Sequence, residues 1–333
     1  MKAVWIERHG GPEVLQIVER PMPQSGSGEV VVKVRACALN HLDVWVRRGV
    51  PGHEFPLPMV PGSDIAGVLP ETNQEVVVFP AESCGKCEFC LTGREQLCRQ
   101  FGILGETRDG GCAEYVRVRR ENIFPKPVNL GFEEAASVLL SGLTAYHMVV
   151  TKAAVQRGEW VVVTGAAGGV GIMAVQIAKA MGGRVIAVVG SQEKSDALRL
   201  LGADETIIHS QVDFAKAARA MAGRDGISVV VDSVGGEVFE KGVAILRPEG
   251  RIVTCGATAD GMARLNLRRV FFRAINIMGS TMGSRWEMLK VLTLVRDGIV
   301  KPVVHSILPM KEVAQGHKLI ESREVTGKVV LRP

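Results

Sequence analysis

Several features are missing from this sequence of 333 residues. No segment has an apolar run long enough to cross a bilayer, and the first ten residues have no signal-peptide apolar stretch. Internal repeats and low-complexity tracts are also missing. The formal net charge of +5 comes without a local block of basic residues, which suits an anionic cofactor better than a nucleic acid. We therefore expect a cytoplasmic protein that acts on a small molecule, with no nucleic acid or membrane partner.

Seven cysteines are present, and their clustering is informative. Four of them lie within residues 84–98: Cys84, Cys87, Cys90 and Cys98. Four thiolates match the closed tetrahedral shell of a structural zinc, and their short spacing keeps the loop-closure cost low. Disulfides, which are rare in the cytosol, and an iron–sulfur cluster are the alternatives. Cys37, Cys112 and Cys255 stand in apolar surroundings and are typical of small core residues.

Residues 160–171, with the sequence WVVVTGAAGGVG, predict a strand, a tight turn and the start of a helix. The β-branched run is typical of a strand buried on both faces, and it breaks at Gly165. Small residues in the turn let the backbone approach a pyrophosphate, and free N–H groups at the helix start favour that anion. A turn that serves only helix–sheet packing is the alternative. The predicted cofactor contacts here are Ala166, Gly168, Gly169, Val170 and Gly171.

The pattern of elements changes along the chain. Residues 1–125 predict a twisted antiparallel β domain, whose clearest strands are at residues 2–6, 15–19, 29–36 and 75–79. Residues 132–151 predict a helix. Alternating strands and helices follow, with strands at 160–164, 184–189, 205–209, 228–232, 251–255 and 275–279. Six strands complete a doubly wound sheet. The tail is expected to pack onto the first domain, with helices and strands at residues 284–296, 303–308, 311–322 and 328–331.

These features together resemble the medium-chain dehydrogenase/reductase superfamily, in particular zinc-containing alcohol dehydrogenases and quinone oxidoreductases. The motifs that carry the resemblance are PGSDIAG at 61–67, the four-cysteine loop, GAAGGVG at 165–171, LGAD at 201–204 and GKVVL at 327–331. The resemblance implies an α/β protein with an N-terminal GroES-like β domain, completed by the C-terminal tail, and a doubly wound Rossmann domain. The implied division is a catalytic domain at 1–140, a Rossmann domain at 141–280 and a return to the catalytic domain at 281–333.

The resemblance also identifies a second metal position. Zinc-dependent alcohol dehydrogenases hold a catalytic zinc with Cys, His and Cys side chains, where this sequence has Asn40, Ser63 and Leu140. These residues do not supply the nitrogen and sulfur ligands of zinc, so we expect no catalytic zinc. Leu42 stands where those relatives carry the hydroxyl that relays the alcohol proton, and an alcohol is hard to ionise without a metal.

A substitute metal site built from His41, Asp64 and His53 is the alternative to a missing catalytic zinc. Without any metal, a member of this superfamily can still transfer hydride, because the cofactor carries the difficult chemistry. By resemblance to quinone oxidoreductases, Asn40 and Asp43 are the candidate catalytic residues beside the nicotinamide. Asn40 would orient the ring or the substrate, with a loop-capping amide as the alternative. Asp43 suits a structural hydrogen-bonding role equally well.

Cofactor choice depends on the end of the second Rossmann strand. NAD-preferring enzymes carry an acidic residue there, whereas this chain has Val189, followed by Ser191 and Lys194, which suit a 2′-phosphate. Glu193 opposes this interpretation, because its charge would repel a phosphate. We expect NADP(H) rather than NAD(H). The resemblance adds further cofactor contacts for the pyrophosphate, the nicotinamide and the adenosine: His41, Thr144, His209, Gly256, Met278 and Lys328.

The expected function is NADP(H)-dependent hydride transfer to a quinone or an α,β-unsaturated carbonyl, with a structural zinc. A zinc-dependent alcohol dehydrogenase acting on alcohols or aldehydes is the first alternative. A cofactor-binding protein with a structural or RNA-binding role is the second. The apolar strand at 275–280 would form a sheet edge, and such edges are seldom left bare. We therefore expect a homodimer or homotetramer.

Overall fold

A computed structural model describes all 333 residues and shows two compact units. The first unit comprises Met1–Ser141, Gly283–Arg296 and Pro302–Pro333, and the second comprises Gly142–Met282 and Asp297–Lys301. The second unit thus includes a short segment, residues 297–301, which directly follows Gly283–Arg296 of the first unit. None of the helices has the length and apolar character that a membrane crossing requires.

The strands in chain order are β1 (Lys2–Ile6), β2 (Leu15–Glu19), β3 (Glu29–Ala38), β4 (Asp64–Leu69), β5 (Gln74–Val78), β6 (Ala81–Glu82), β7 (Gly102–Ile103), β8 (Tyr115–Arg119), β9 (Ile123–Pro125), β10 (Trp160–Val163), β11 (Arg184–Val189), β12 (Glu205–Ile208), β13 (Ile227–Asp232), β14 (Leu246–Thr254), β15 (Asn276–Gly279), β16 (Val304–Pro309) and β17 (Lys328–Arg332). The helices are α1 (His41–Arg48), α2 (Glu88–Leu91), α3 (Phe132–Ser137), α4 (Leu139–Tyr146), α5 (Gly169–Ala180), α6 (Gln192–Leu200), α7 (Phe214–Ala222), α8 (Gly236–Ile245), α9 (Leu267–Phe272), α10 (Arg285–Arg296) and α11 (Val313–Ser322). A π-helical turn, His147–Lys152, continues α4.

The first unit is built on a seven-stranded sheet with the order β16-β17-β3-β4-β5-β9, to which β8 adds by pairing with β3. All pairings in it are antiparallel except that of β16 with β17. Alternate residues of its strands fill one core, in which Val32, Ile65 and Leu331 are buried. Because β17 pairs with β3 through Leu331 and Cys37, the C-terminal tail completes this sheet, as the sequence predicted.

Helix α1 corrects the sequence prediction, which had only strands and irregular loops before residue 125. The helix begins after Asn40, whose backbone N–H donates to Asp43 Oδ2 at 2.7 Å. This bond closes the first turn in the manner of a capping box. Val44 and Val46 are buried on its inner side, so tertiary packing overrides their weak helix propensity. The helix predicted at 132–151 is present but divided, because α3 ends at Ser137 before α4 begins.

The second unit has a six-stranded parallel sheet with the order β12-β11-β10-β13-β14-β15. This is the order of a complete doubly wound fold, so the sequence prediction is confirmed. Strands β10 and β13 are buried along their whole length, as expected for central parallel strands with helices on both faces. Strand β15 is an edge strand and is largely exposed.

Candidate functional site

The turn after β10 places small residues at the carboxyl edge of the parallel sheet, where open α/β sheets bind their ligands. Gly165 has φ +57, and the Ala166 N–H donates to Val188 O at 3.1 Å, which fixes the turn against β11. A Cβ added at Gly168 would meet only Gly165 O, at 3.4 Å, so the outer face of the turn is open. A Cβ at Gly171 would lie 2.3 Å from the same oxygen. Gly168 therefore permits the approach of a ligand, whereas Gly171 permits close packing of helix α5 on the backbone of the turn.

This turn fits a dinucleotide pyrophosphate. Gly168 is the N-cap of α5 and offers no side-chain cap, so the first N–H groups of the helix, at Gly169, Val170 and Gly171, have no partner within the helix. A helix N-terminus of this kind attracts an anion through its N–H groups and its dipole. The structure thus brings together all five residues that the sequence predicted for the turn.

The end of β11 gathers a second group of predicted contacts. Ser191 is the N-cap of α6, and its hydroxyl accepts the Lys194 backbone N–H at 3.4 Å. His209, which follows β12, donates its backbone N–H to Val189 O at 3.0 Å. Its Nε2 lies 3.5 Å from a Cβ built at Gly190. Ser191, Lys194 and His209 therefore lie at one corner of the sheet, where the parallel strands β11 and β12 end.

Three other predicted contacts also belong to the second unit. Thr144 is buried in α4. Gly256 follows β14, and its carbonyl accepts the hydroxyl of Thr254 at 3.1 Å. Met278 lies within β15 and is paired with Val253. Because β14 is parallel to β10, Gly256 lies at the same edge of the sheet as the dinucleotide turn.

Asp232 is a functional candidate that sequence reasoning missed. It ends β13 and is fully buried, and its two carboxylate oxygens accept the Thr164 hydroxyl at 2.6 Å and the Gly235 N–H at 3.0 Å. Burial raises the pKa of this carboxyl above its usual range. The residue ties the start of the dinucleotide turn to the loop after β13. Its signal in the sequence was an acidic residue directly after an apolar strand run.

In the first unit, Asn40, Asp64 and Lys328 form a closed hydrogen-bonded cluster. The Lys328 ammonium donates to Asn40 Oδ1 at 2.5 Å and to Asp64 Oδ2 at 3.0 Å. The Asn40 amide donates to Asp64 Oδ2 at 3.0 Å. The exposed fractions of the three residues are 8%, 0% and 4%, so the cluster is nearly free of solvent. An ion pair that is excluded from water offsets the cost of desolvation only when hydrogen bonds satisfy its polar atoms, as they do in this cluster.

The candidate catalytic residue Asp43 accepts hydrogen bonds from two backbone N–H groups. Its carboxylate accepts the backbone N–H of Asn40 at 2.7 Å and that of Gly62 at 2.9 Å. It thereby joins the start of α1 to the turn before β4. Burial raises the pKa of this carboxyl to about 6. The two backbone hydrogen bonds and the charge of Lys328 act in the opposite direction and lower the pKa.

The sequence placed two basic residues near the pyrophosphate. His41 is the first residue of α1, half-buried, with its ring edge-on to Trp45 at 5.2 Å between centroids. Burial lowers the pKa of this imidazole. Lys328, by contrast, directs its ammonium to Asn40 and Asp64.

The three positions of a catalytic zinc do not fit a metal. The Ser63 hydroxyl is buried and has no hydrogen-bond partner, and the Leu140 backbone N–H donates to Asp64 Oδ1 at 2.7 Å. The substitute triad of His41, His53 and Asp64 is not assembled either. Only one group of three or more His, Cys, Asp or Glu side chains converges as metal ligands would, and it is the four-cysteine loop.

The four-cysteine loop fits a structural zinc. The ligand atoms of Cys84, Cys87, Cys90 and Cys98 all lie within 4.8 Å of one another. The Sγ atoms are 3.9 Å apart for Cys84 and Cys90 and 3.5 Å apart for Cys87 and Cys90. Zn–S bonds of about 2.3 Å in a tetrahedron would place sulfur atoms roughly 3.8 Å apart. The Lys86 backbone N–H lowers the pKa of the Cys84 thiol to about 6, whereas burial and the neighbouring thiols raise the pKa of Cys87 to about 11.

Two family models match the chain. A model described as alcohol dehydrogenase GroES-like domain matches residues 26–128, and one described as zinc-binding dehydrogenase matches residues 169–297. Among curated proteins, an alcohol dehydrogenase from Geobacillus stearothermophilus is 32% identical, covering 100% of this chain and 99% of that protein. A human quinone oxidoreductase is 30% identical, covering 99% of this chain and 97% of that protein.

Solved structures agree with these matches. A crystal structure of an NAD-dependent alcohol dehydrogenase has a TM-score of 0.96 and 45% identity, covering 100% of both chains. The structure of a 2-octenoyl-CoA carboxylase reductase in complex with NADP and 2-octenoyl-CoA has a TM-score of 0.90 and 29% identity, covering 96% of this chain and 82% of that one. The chain belongs to the medium-chain dehydrogenase/reductase superfamily and is an NAD(P)-dependent oxidoreductase of small molecules.

Proposed function

We propose that this enzyme uses NADP(H) to reduce a quinone or an α,β-unsaturated carbonyl, with a structural zinc and no catalytic zinc. The observation that carries the proposal is the state of the three positions where zinc-dependent relatives hold the metal: the Asn40 amide is bonded to Asp64 and Lys328, the buried Ser63 hydroxyl has no partner, and Leu140 is apolar. Without a Lewis acid, an alcohol is a poor hydride donor, whereas an electron-poor conjugated acceptor takes hydride readily.

In the proposed mechanism the turn after β10 would hold the cofactor, and Asn40 would contact the substrate. The open face at Gly168 and the N–H groups of α5 would hold the pyrophosphate, and the cofactor would supply the hydride. The amide of Asn40 donates one N–H to Asp64 at 3.0 Å, while its contact with Ala38 O is long, at 3.5 Å. We propose that the other N–H of the Asn40 amide, which makes only the long contact with Ala38 O, donates a hydrogen bond to the substrate oxygen. Negative charge develops on that oxygen during reduction.

The proposed chemistry predicts a clear substrate preference. NADPH-dependent turnover of a naphthoquinone or a conjugated enone should persist when chelators are added that leave the structural zinc in place. Oxidation of simple primary alcohols should be at least about a hundredfold slower, because no metal lowers the alcohol pKa. Steady-state kinetics with both substrate classes would measure the difference. Fast alcohol oxidation that is lost on chelation and restored by zinc would contradict the proposal.

A zinc-dependent alcohol dehydrogenase is the second candidate. The specific observation in its favour is the 45% identity to a protein described as an NAD-dependent alcohol dehydrogenase. The donor set opposes it, because Asn40, Ser63 and Leu140 provide one amide, one unpartnered hydroxyl and one apolar side chain. About two zinc ions per chain, rather than one, would favour this second candidate.

The proposed NADP(H) preference rests on the corner formed by Val189, Ser191 and Lys194. Replacing Lys194 with Ala should weaken NADPH binding by about ten- to a hundredfold, because a charge-assisted contact contributes roughly 1.5–3 kcal/mol. NADH binding should change little, since NADH has no 2′-phosphate. Fluorescence titration with both nucleotides measures this. Lys216 is a matched control, because its backbone N–H also donates to an N-cap residue, Asp213, at 2.9 Å. Equal losses for NADH and NADPH would contradict the preference.

We also propose that the chain forms a dimer through β15. Its outer edge is unpaired, and an exposed apolar surface adjoins it at Phe271 and Phe272, whose exposed fractions are 64% and 80%. A second copy related by a two-fold axis would extend the sheet and cover these rings. Replacing Phe272 with Asp should shift the protein towards monomer in sedimentation experiments at micromolar concentration, whereas Val128→Asp, at a site that is 94% exposed, should not. A wild-type protein that is only monomeric would rule out the dimer.

A further inference from the structure

The first unit contains a cavity that the proposed function does not use. Its volume is about 670 Å³, within the range of roughly 300–1,000 Å³ that is usual for small-molecule sites. Residues of strands β3, β8 and β17 and of helix α3 line it. Arg332, in the lining, and Lys328, which is bonded to Asn40, are the last and first residues of the five-residue strand β17, so about 13 Å separates them along the strand. The cavity is therefore distinct from the cluster around Lys328.

Three cations line this cavity, and two of them have no carboxylate partner. Arg332 Nε donates to Glu133 Oε1 at 2.5 Å, which pairs these two charges. Lys33 and Arg35, by contrast, form no ion pair. Both are exposed, whereas Val34 between them is buried, because successive side chains of a strand point to opposite faces. The outer face of β3 therefore presents two unpaired positive charges to the cavity.

The two acidic residues of the lining are engaged elsewhere. Burial acts to raise the pKa of the Glu133 carboxyl, but the hydrogen bond and charge of Arg332, together with the charge of Arg35, hold this pKa below its usual range. Glu133 therefore stays ionised and paired with Arg332. Glu114 accepts the backbone N–H of Lys2 at 2.7 Å through Oε2. Neither carboxylate forms an ion pair with the two cations of β3.

The rest of the lining is apolar or aromatic. Val34, Tyr115, Phe132 and Pro333 contribute to it. The ring of Phe132 is half-buried, and the guanidinium of Arg35 lies over it, with Cζ 5.6 Å from the ring centroid. A cation beside an aromatic surface suits a ligand that combines an anionic group with an apolar ring. A bare inorganic ion would leave most of the cavity unfilled and the aromatic side chains uncovered.

We propose that this cavity binds a small organic anion, whose carboxylate pairs with Lys33 and Arg35 and whose apolar ring lies against Tyr115 and Phe132. Such a ligand is not the acceptor of the hydride, because the cavity lies at the opposite end of β17 from Lys328. The site is an accessory one, and it does not depend on whether the enzyme reduces quinones, enones or aldehydes.

The test uses the zinc-loaded full chain and the probe 2-naphthoate, with 2-naphthamide as a neutral analogue that has the same rings. Isothermal titration calorimetry should show about one naphthoate per chain, and the amide should bind at least about tenfold more weakly because it has no charge for the two cations. Lys33→Gln and Arg35→Gln should each weaken naphthoate binding by about fivefold, the usual upper limit for an exposed ion pair. Arg117→Gln is a matched control, because Arg117 is an exposed cation of β8 that lies outside the cavity and pairs with Glu29.

Several outcomes would overturn the inference. Absence of naphthoate binding, or equal binding of naphthoate and naphthamide, would show that the cavity does not recognise an organic anion. Naphthoate binding that is unchanged in both Lys33→Gln and Arg35→Gln, or weakened equally in Arg117→Gln, would place the anion elsewhere. Loss of naphthoate binding in the presence of saturating NADPH would place it in the cofactor site.

The variants should keep the urea midpoint of the natural protein, because both substituted side chains of β3 are exposed. A loss of binding at an unchanged midpoint therefore reports on the cavity and not on folding. None of these measurements uses turnover, so an absence of quinone or enone reduction would contradict the proposed function alone.

Discussion

Replacing Cys90 with Ser should reduce zinc binding by about a hundredfold and destabilise the loop at residues 84–98. Structural zinc in small domains contributes roughly 10–16 kcal/mol of binding free energy, so one of four thiolates accounts for about 3 kcal/mol. The local effect should be large because helix α2 within the loop has no buried residue. We therefore expect metal binding, rather than a hydrophobic core, to order this segment.

Elemental analysis of dialysed protein and limited proteolysis measure these two effects. The natural protein should contain about one zinc per chain, because only one group of side chains fits a metal. Cys112→Ala is a matched control: Cys112 is buried outside the loop, so its loss should lower stability through packing while zinc content stays the same. Zinc content that is equal in Cys90→Ser and in the natural protein would contradict a four-thiolate site.

Much of the fold was predictable because burial leaves a periodic trace in the sequence. The strands Lys2–Ile6, Leu15–Glu19 and Arg184–Val189 were predicted with the bounds that the structure shows. Strand β14 was predicted to begin later, since Pro248 and Gly250 weaken its signal, yet it starts at Leu246. Helix α1 was missed because its centre, Val44, Trp45 and Val46, consists of weak helix formers, and because its start depends on the bond between Asn40 and Asp43.

The candidate site divides in a similar way. The dinucleotide turn is a local feature, so its small residues and its helix start can be recognised from twelve consecutive residues, 160–171. The cluster around Lys328 is not local, because it joins residues 264 and 288 positions apart. A lysine at the first position of a strand is ordinarily exposed, and no periodic pattern signals that its ammonium is buried. Contacts of this kind require the three-dimensional structure.

Two glycines of the dinucleotide turn should have opposite roles, and substituting each of them separates cofactor binding from folding. Gly168→Val should abolish measurable binding of both NADPH and NADH, because its Cβ would extend over the open face of the turn. The fold should tolerate this change, since the added Cβ meets only Gly165 O at 3.4 Å. The expected loss of stability is about 1 kcal/mol, for a poor residue at a helix N-cap.

Gly171→Ala should show the reverse pattern. Its Cβ would lie 2.3 Å from Gly165 O and 2.6 Å from Ala166 Cα, both backbone atoms that cannot rotate away. Overpacking of this kind costs roughly 1–3 kcal/mol, and we expect a corresponding fall in the urea midpoint. Nucleotide fluorescence and urea denaturation of both variants would test the pair. If Gly168→Val retained cofactor binding while Gly171→Ala kept full stability, the turn would be neither a pyrophosphate site nor a place of close contact with helix α5. The geometry assigns a different role to each glycine: Gly168 faces outward and can admit an anion, whereas Gly171 faces the turn and can admit its backbone.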